Sequence, residues 1–216
     1  MNDGSTPDDI PSGVVFVAET VLPTVRGPYR VRAYRDPATG TEPLAIVSGA
    51  VEGRTNVLVR VHDECLTSEV LGSLKCDCRE QLESALDRIR EEDGVVIYLR
   101  QEGRGIGLAN KIAAYALQEQ GMDTVDANLA LGLPDDARSY HAAAAILADL
   151  GLTEIRLLTN NPRKIERLTS LGVSVSGREP LWIAANPHSR GYLATKRARM
   201  GHLGALVRPP VAIASK

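Results

Sequence analysis

The fold class follows from residues 78–121, CREQLESALDRIREEDGVVIYLRQEGRGIGLANKIAAYALQEQG, where a helical pattern gives way to a buried strand and then to a second helix. Starting at Leu82, apolar residues recur at spacings i, i+3, i+4 and i+7, which predicts an amphipathic helix that ends near Gly94. The apolar run VVIYLR at 95–100 predicts a short buried strand. The next helix, LANKIAAYALQEQ, has Gly121 as its expected stop.

The same alternation continues toward the C-terminus. SYHAAAAILADLG at 139–151 predicts a helix, and EIRLLT at 154–159 predicts a strand. Asn161 is the expected N-cap of a further helix, with Pro162 at its first position, before the short strand VSVSG. Strands that alternate with helices in this way are typical of an α/β arrangement.

Upstream, four runs read as strands: VVFVAE, YRVRAYR, PLAIVSG and TNVLVRVH, the last ending near His62. The tract 37–40, PATG, predicts a hairpin turn between two of them. We therefore expect a mixed α/β (α+β) fold, in which a β-rich N-terminal half is followed by alternating strands and helices around a mixed sheet. The order of the strands in that sheet cannot be read from these patterns.

Composition and charge exclude several classes of function. The formal net charge of the 216 residues is -2, which provides no general positive field for a nucleic-acid polymer. Aromatic residues are 4% of the chain, too few for a base-stacking platform. The acidic start MNDGSTPDDIPSG is not a signal peptide, and no apolar stretch approaches the roughly 20 residues that span a bilayer. We expect a cytoplasmic protein with no nucleic-acid or membrane partner.

Three cysteines, Cys65, Cys76 and Cys78, follow the pattern C-x10-C-x-C. Structural zinc modules usually have four ligands in paired C-x2-C knuckles, whereas three protein ligands leave a position for water, as in catalytic sites. Zinc lowers the pKa of such a water to about 7, although three thiolates donate charge and weaken the effect. Buried structural cysteines and a C-x-C redox pair are the alternatives. His62 is either a fourth ligand or a structural residue beside a strand end.

Three charged segments could bind phosphate. Arg100, Glu102, Arg104 and Lys111 surround the glycines of QEGRGIG, where backbone N–H groups and a helix dipole favour an anion. The spacing matches neither a P-loop nor a dinucleotide-binding fingerprint, so an ordinary strand–helix turn is an alternative.

The other two segments are PDDARSY and TNNPRK. Asp135 and Asp136 either serve a site or cap a helix that begins near Ser139. Arg163 and Lys164 lie in the first turn of a helix, where basic residues are unfavourable unless an anion is bound there. Solvated surface charges are the alternative for this pair.

Together these segments resemble GTP cyclohydrolase II, the zinc enzyme that begins riboflavin synthesis. The resemblance covers roughly two thirds of the chain, from about Val59 to Leu203. The matching strings are RVHDECLTSEVLGSLKCDC, QL, RQEGRGIGLANKIAAYALQEQG, DTVDAN, LG, LLTNNPRK and KRARMGHL.

The residues themselves predict a disordered lead-in at 1–12 and a loosely held tail at 204–216, and the resemblance implies a single catalytic domain at 13–203 between them. It implies a homodimer, and a stand-alone enzyme, since no dihydroxybutanone phosphate synthase domain precedes the match. Gly105 and Ala137 depart from the family pattern, which commonly has Asn and Glu at these positions. We expect both departures to affect loop stiffness more than chemistry.

The resemblance also implies residue roles. Cys65, Cys76 and Cys78 would bind one Zn²⁺, and Mg²⁺ would accompany the GTP phosphates. Asp136 would be the general acid/base, and Tyr115 would position or protonate the formyl intermediate. Arg138 would be either the nucleophile toward the α-phosphate or an electrostatic clamp. The implied substrate contacts are Arg60, Val61, His62, Asp63, Glu64, Gln81, Glu102, Gly103, Arg104, Thr124, Thr159 and Lys164.

The implied reaction converts GTP to 2,5-diamino-6-(5-phosphoribosylamino)pyrimidin-4(3H)-one, formate and diphosphate. An alternative is a cyclohydrolase that stops at the formamidopyrimidine or supplies a specialised pathway. A zinc-stabilised nucleotide sensor without turnover is disfavoured, because the implied catalytic residues are all present. A zinc-ribbon nucleic-acid protein is disfavoured by the number of cysteines and by the net charge.

Overall fold

A computed structural model describes residues 13–134, 136–181, 183, 187 and 189. The predicted lead-in at 1–12, Asp135, the KRARMGHL segment and the predicted tail at 204–216 lie outside these residues. Within the described part of the chain, no helix is long and apolar enough to cross a bilayer.

The helices and strands follow the predicted alternation. In chain order they are β1 (Val15–Thr24), β2 (Gly27–Arg35), β3 (Leu44–Ser48), β4 (Val57–Asp63), α1 (Leu66–Glu69), α2 (Cys78–Glu92), β5 (Gly94–Leu99), a 3-10 turn (Glu102–Gly105), α3 (Leu108–Glu119), α4 (Thr124–Ala130), α5 (His141–Asp149), β6 (Glu154–Leu158), α6 (Pro162–Ser170) and β7 (Ser174–Glu179).

The strands form one seven-stranded mixed sheet in the order β1-β2-β3-β5-β4-β6-β7. The pairs β1–β2, β2–β3 and β3–β5 are antiparallel, whereas the pairs β5–β4, β4–β6 and β6–β7 are parallel. The hairpin turn predicted at 37–40 closes through a bridge between Asp36 and Thr41. The mixed α/β fold and the mixed sheet are therefore confirmed.

Local signals located most of the helices. The side chain of Asn161 accepts a hydrogen bond from the backbone N–H of Arg163, with Pro162 at the first position of α6, as predicted. Two short helices, α1 and α4, were not predicted. Asp123 caps α4 by accepting from two backbone N–H groups, but a seven-residue helix is too short to show a clear apolar period.

Helices cover both faces of the parallel strands, so β4 is buried on both sides. Leu58 packs with Ala85 and Ile89 of α2 on one face. Val59 and Val61 pack with residues of α5 on the other face. Because side chains alternate along a strand, Arg60 and His62 point to the α2 side and Asp63 to the α5 side.

The carboxyl ends of β4, β5 and β6 meet at one edge of the sheet, because the three strands are parallel neighbours. The segments that leave these strands are 64–65, 100–107 and 159–164. Among the residues singled out by sequence they contain Glu64, Cys65, Glu102, Gly103, Arg104, Thr159 and Lys164. The crevice at this edge is where open α/β sheets bind ligands.

Candidate active site

The three cysteine sulfurs converge at the carboxyl edge of the sheet. Their Sγ atoms lie within 4.8 Å of one another, and the Cys65 and Cys76 sulfurs are 3.6 Å apart. Two thiolates bound to one tetrahedral zinc at about 2.3 Å lie about 3.8 Å apart, so the spacing fits that metal. Cys65 and Cys76 are buried and Cys78 is half-buried. Convergence of all three sulfurs favours a metal site over a C-x-C redox pair or inert thiols.

His62 supports the backbone of Cys65 through Glu69. The Nε2 atom of His62 is 2.8 Å from Glu69 Oε1, which also accepts the Cys65 backbone N–H at 3.0 Å. The hydroxyl of Tyr98 donates to the other oxygen of Glu69 at 2.6 Å. Burial lowers the pKa of His62, so the ring is neutral and donates through Nε2–H. Among the described residues His62 is not part of the sulfur cluster, and the geometry favours its structural role.

Lys111 contacts the thiol cluster directly. Its Nζ atom lies 3.1 Å from Cys65 Sγ and 2.7 Å from Glu102 Oε1. Hydrogen bonds with the Cys76 and Cys78 thiols, together with the Lys111 ammonium, hold the pKa of Cys65 well below its usual range. Lys111 was predicted to join a phosphate-binding group of charges, and the structure instead places it beside the metal-ligand candidates.

The glycine loop adopts a left-handed turn that packs against the segment after α4. Gly103 and Arg104 both have φ of 62°, a conformation that costs a non-glycine residue such as Arg104 about 1–2 kcal/mol. At Gly105, with φ of 87°, a Cβ would lie 2.9 Å from the carbonyl group of Ala137. The Ala137 N–H also donates to the Arg104 carbonyl. The two departures from the family pattern, at 105 and 137, are therefore in contact with each other.

Tyr115 projects from α3 toward the same corner. Two ammonium groups lie against its ring, Lys75 Nζ at 4.8 Å from the ring centroid and Lys111 Nζ at 5.8 Å. Because Lys111 also contacts Cys65, the tyrosine ring lies beside the sulfur cluster.

A second cluster is built around the carboxylate of Asp63. Arg138 Nη1 and Lys164 Nζ donate to its Oδ2 at 2.9 and 3.0 Å, and the Tyr140 hydroxyl lies 3.4 Å from the same oxygen. Gln101 approaches the other oxygen at 3.4 Å. Burial acts to raise the pKa of Asp63, but the Lys164 and Arg138 charges hold it well below its usual range. Asp63 is therefore ionised and joins three elements of the fold.

The guanidinium of Arg138 is held by two carboxylates. Its Nε and Nη2 atoms donate to the two oxygens of Asp136 at 2.9 and 2.8 Å, in addition to the contact with Asp63. Burial acts to lower the pKa of Arg138, and Asp136 with Asp63 raises it well above its usual value. A neutral guanidine nucleophile is thus disfavoured, and the geometry supports the electrostatic clamp.

Asp136 is not a helix cap. The helix begins at His141 rather than near Ser139, and its N-cap Tyr140 makes no side-chain capping bond. Arg167 Nη1 lies 3.5 Å from Asp136 Oδ1. Burial acts to raise the pKa of Asp136, but Arg138 and Arg167 lower it overall. The group is therefore a carboxylate at neutral pH.

Lys164 is buried, with 3% of its surface exposed, and donates to the Val61 carbonyl at 2.7 Å as well as to Asp63. Burial lowers the pKa of Lys164 to about 8, although the Asp63 carboxylate opposes the change. The solvated-charge alternative is therefore wrong for Lys164, whereas Arg163 is exposed.

The remaining implied contacts differ in what surrounds them. Arg60 donates to the Leu158 carbonyl and to the side chain of Gln81 at 2.7 Å. The hydroxyl of the buried Thr159 accepts the Asn161 N–H. Glu64 is 3.7 Å from Arg100. Thr124 is the first residue of α4, which packs against α3.

Four residues that organise the site were missed by sequence reasoning: Glu69, Gln101, Tyr140 and Arg167. Gln101 stands in the quoted QEGRG string, and its amide both donates to and accepts from the backbone of Ser139. Tyr140 and Arg167 carry no local signal, since each contacts groups that are distant in the chain. Glu69 lies four residues after Cys65, whose N–H it accepts, in a short helix that was not predicted.

Comparison with known proteins places these observations in one family. The family model described as GTP cyclohydrolase II matches residues 15–180. A GTP cyclohydrolase-2 of Acinetobacter baumannii (strain SDF) is 51% identical over 192 residues, which are 88% of this chain and 96% of the relative. That of Salmonella typhimurium is 52% identical over 188 residues, which are 87% of this chain and 96% of the relative.

One solved structure is also similar, at a lower level. It is a two-domain 3,4-dihydroxy-2-butanone 4-phosphate synthase from A. baumannii, with 20% identity and a TM-score of 0.44. The match covers 80% of this chain and 41% of that structure. A likeness this distant carries no argument about the site.

Proposed function

The chain belongs to the GTP cyclohydrolase II family and is a hydrolase, and we propose that it uses zinc to convert GTP to 2,5-diamino-6-(5-phosphoribosylamino)pyrimidin-4(3H)-one, formate and diphosphate, as the first step of riboflavin synthesis. The observation that carries this proposal is the convergence of three cysteine sulfurs at the edge that also holds the Asp63 cluster. The proposed catalytic domain spans 13–203, and the family match at 15–180 supports it.

Cys65, Cys76 and Cys78 would hold the zinc. When bound, zinc supplies a Lewis acid and an activated water for hydrolysis of the guanine ring. The sulfur spacing of 3.6 Å between Cys65 and Cys76 supports this ligand set. The network of Glu69 behind Cys65 keeps the first ligand in place.

At the base end of the substrate, Tyr115 would position the formyl group and donate a proton to it. Two ammonium groups lie against its ring beside the sulfur cluster, which supports this assignment. The contact residues proposed for the nucleotide are Arg60, Val61, His62, Asp63, Glu64, Gln81, Glu102, Gly103, Arg104, Thr124, Thr159 and Lys164.

At the phosphate end, Arg138 would act as an electrostatic clamp and Asp136 as a general base. The ionised Asp136 can accept a proton from a water that attacks the α-phosphorus, while the charges of Arg138 and Lys164 offset the developing negative charge. We propose that Mg²⁺ arrives with the GTP phosphates, because the carboxylates of Asp63 and Asp136 are already paired with cations.

We also propose that the protein is a homodimer. Large apolar side chains are exposed on β1 and on the α3–α4 pair, which is the kind of surface that subunits bury. They include Phe16, Val21, Leu22, Ile112 and Leu129, exposed by 43% to 61%. Sedimentation equilibrium of the purified protein tests this proposal, and a monomer mass at micromolar concentration would contradict it.

The test of the proposed reaction is product analysis with GTP, Zn²⁺ and Mg²⁺. We expect one formate and one diphosphate for each GTP consumed. Tyr115→Phe should uncouple GTP consumption from formate release, whereas Tyr34→Phe, on β2, three positions from β4 in the sheet, should leave the ratio unchanged. Consumption of GTP by the wild-type protein without formate would support instead the alternative that stops at the formamidopyrimidine.

A further inference from the structure

Lys111 lies where a metal-binding cluster of thiolates carries excess negative charge. Its side chain is 11% exposed, and its Nζ atom is 3.1 Å from Cys65 Sγ. We propose that Lys111 is a positioning residue of the metal centre, which donates a hydrogen bond to the Cys65 sulfur and offsets the charge of the three thiolates. This inference rests on the proposed zinc site and names a residue that acts on it from outside the ligand set.

The charge count explains why a cation is needed there. Three thiolates and one Zn²⁺ leave a net charge of about -1, which weakens the Lewis acidity of the metal. The Lys111 ammonium places one positive charge in direct contact with a ligand sulfur and so withdraws electron density from that sulfur, while the paired Glu102 carboxylate leaves the total charge of the cluster near -1. A charged donor also restricts the orientation of the sulfur lone pairs, as outer-shell partners do for metal ligands in general.

Glu102 holds the ammonium against the sulfur. Its Oε1 atom accepts from Lys111 Nζ at 2.7 Å, and its Oε2 atom accepts the N–H of Leu66, the residue after Cys65, at 2.7 Å. One carboxylate thus joins α3 to the start of α1. Gly103 permits the close approach, since a Cβ there would lie 3.1 Å from the Cβ of Lys111.

A phosphate-binding role for Lys111 fits the geometry less well. Two of its three N–H groups are directed at Cys65 and Glu102, and the side chain is largely buried. Lys75 provides a contrast in the same corner. Its ammonium pairs with Glu119, and its side chain is 42% exposed. Lys75 is therefore a matched control, with the same charge and ring contact but without the buried position.

The experiment compares Lys111→Met, Lys111→Arg and Lys75→Met in the full chain. Zinc affinity is measured by competition with a chromophoric chelator, and Co²⁺-loaded protein is examined in the near ultraviolet. We expect Lys111→Met to weaken zinc binding by about 10–100-fold, the usual effect of losing an outer-shell partner. We expect little change in Lys75→Met, because an exposed ion pair contributes weakly.

The cobalt spectrum reports on the sulfur itself. Loss of the N–H donor and its charge should move the sulfur-to-cobalt charge-transfer band to lower energy in Lys111→Met. Lys111→Arg keeps a positive donor and should restore part of the affinity and of the band position. A purely structural lysine would alter the melting temperature without moving this band.

Two failures remain distinguishable. If the wild-type chain does not bind zinc stoichiometrically, the proposed metal site is wrong whatever Lys111 does. If the wild-type chain binds zinc but Lys111→Met has the same affinity and the same cobalt band, the positioning role is overturned.

Discussion

Asp63→Asn removes the charge on which Lys164 and Arg138 both depend. The carboxylate receives these two cations at 3.0 and 2.9 Å in a buried setting. Removal of one partner from a buried ion pair typically costs about 3–5 kcal/mol, because the remaining charge is uncompensated. Asparagine still offers one acceptor oxygen, and Lys164, with its pKa already lowered to about 8, can lose its proton, so we expect the lower end of that range.

Asp149, at the surface, has an arginine and a tyrosine as partners and provides a control. Asp149 accepts from Arg32 and from the Tyr34 hydroxyl, just as Asp63 contacts Arg138 and Tyr140, but its side chain is 40% exposed. Solvent screens this pair, so Asp149→Asn should cost about 1 kcal/mol or less.

Urea unfolding of both variants, followed by circular dichroism, measures the difference. A loss of about 3 kcal/mol corresponds to a melting temperature lower by about 6–12 °C in a chain of this size. Equal losses in the two variants would refute the reasoning that Asp63 anchors a buried cation pair.

The pH dependence provides a second check of the same pair. The folded-state pKa of Asp63 is depressed, so its contribution to stability is fully present above the unfolded value of about 3.9 and is lost as pH falls below it. The difference in stability between the wild-type protein and Asp63→Asn should therefore shrink below about pH 4.

Three further predictions concern the steady-state kinetics of the reaction. Gly105→Ala should lower kcat by about tenfold or more, because its Cβ would press against the Ala137 backbone and a displacement near 1 Å can cost about 10²-fold. Gly172→Ala is the control: Gly172 has φ of 86° and open space around it, so this variant imposes the same backbone strain and should leave kcat unchanged. The KM for GTP should rise as pH passes about 8, where Lys164 loses its charge. Lys164→Arg should remove that pH dependence, and steady-state kinetics at several pH values measures both effects. Asp136→Asn should retain stoichiometric zinc by metal analysis but lose at least about 100-fold in kcat, and near-normal turnover would contradict its role as base.

Local patterns were sufficient for much of the fold. The spacing of apolar residues from Leu82 located α2, and the Asn161–Pro162 pair marked the start of α6, because both signals act within one or two helical turns. The spacing of the three cysteines indicated a metal site, since chelation needs a particular set of side chains near one point. Strand order was beyond this reasoning, because β3 lies beside β5 rather than β4 through contacts between distant segments.

The chain by itself therefore determined most of the elements and indicated the candidate site residues. Tertiary structure decided what each side chain contacts. Asp63 meets Arg138, 75 residues away, and Lys164, 101 residues away, because three parallel strands end at one edge. Lys111 was expected to bind phosphate, but its ammonium contacts the Cys65 sulfur, because the turn at Gly103 lets α3 approach the thiols. Such partners depend on sheet register and loop geometry, which are cooperative properties of the packed molecule.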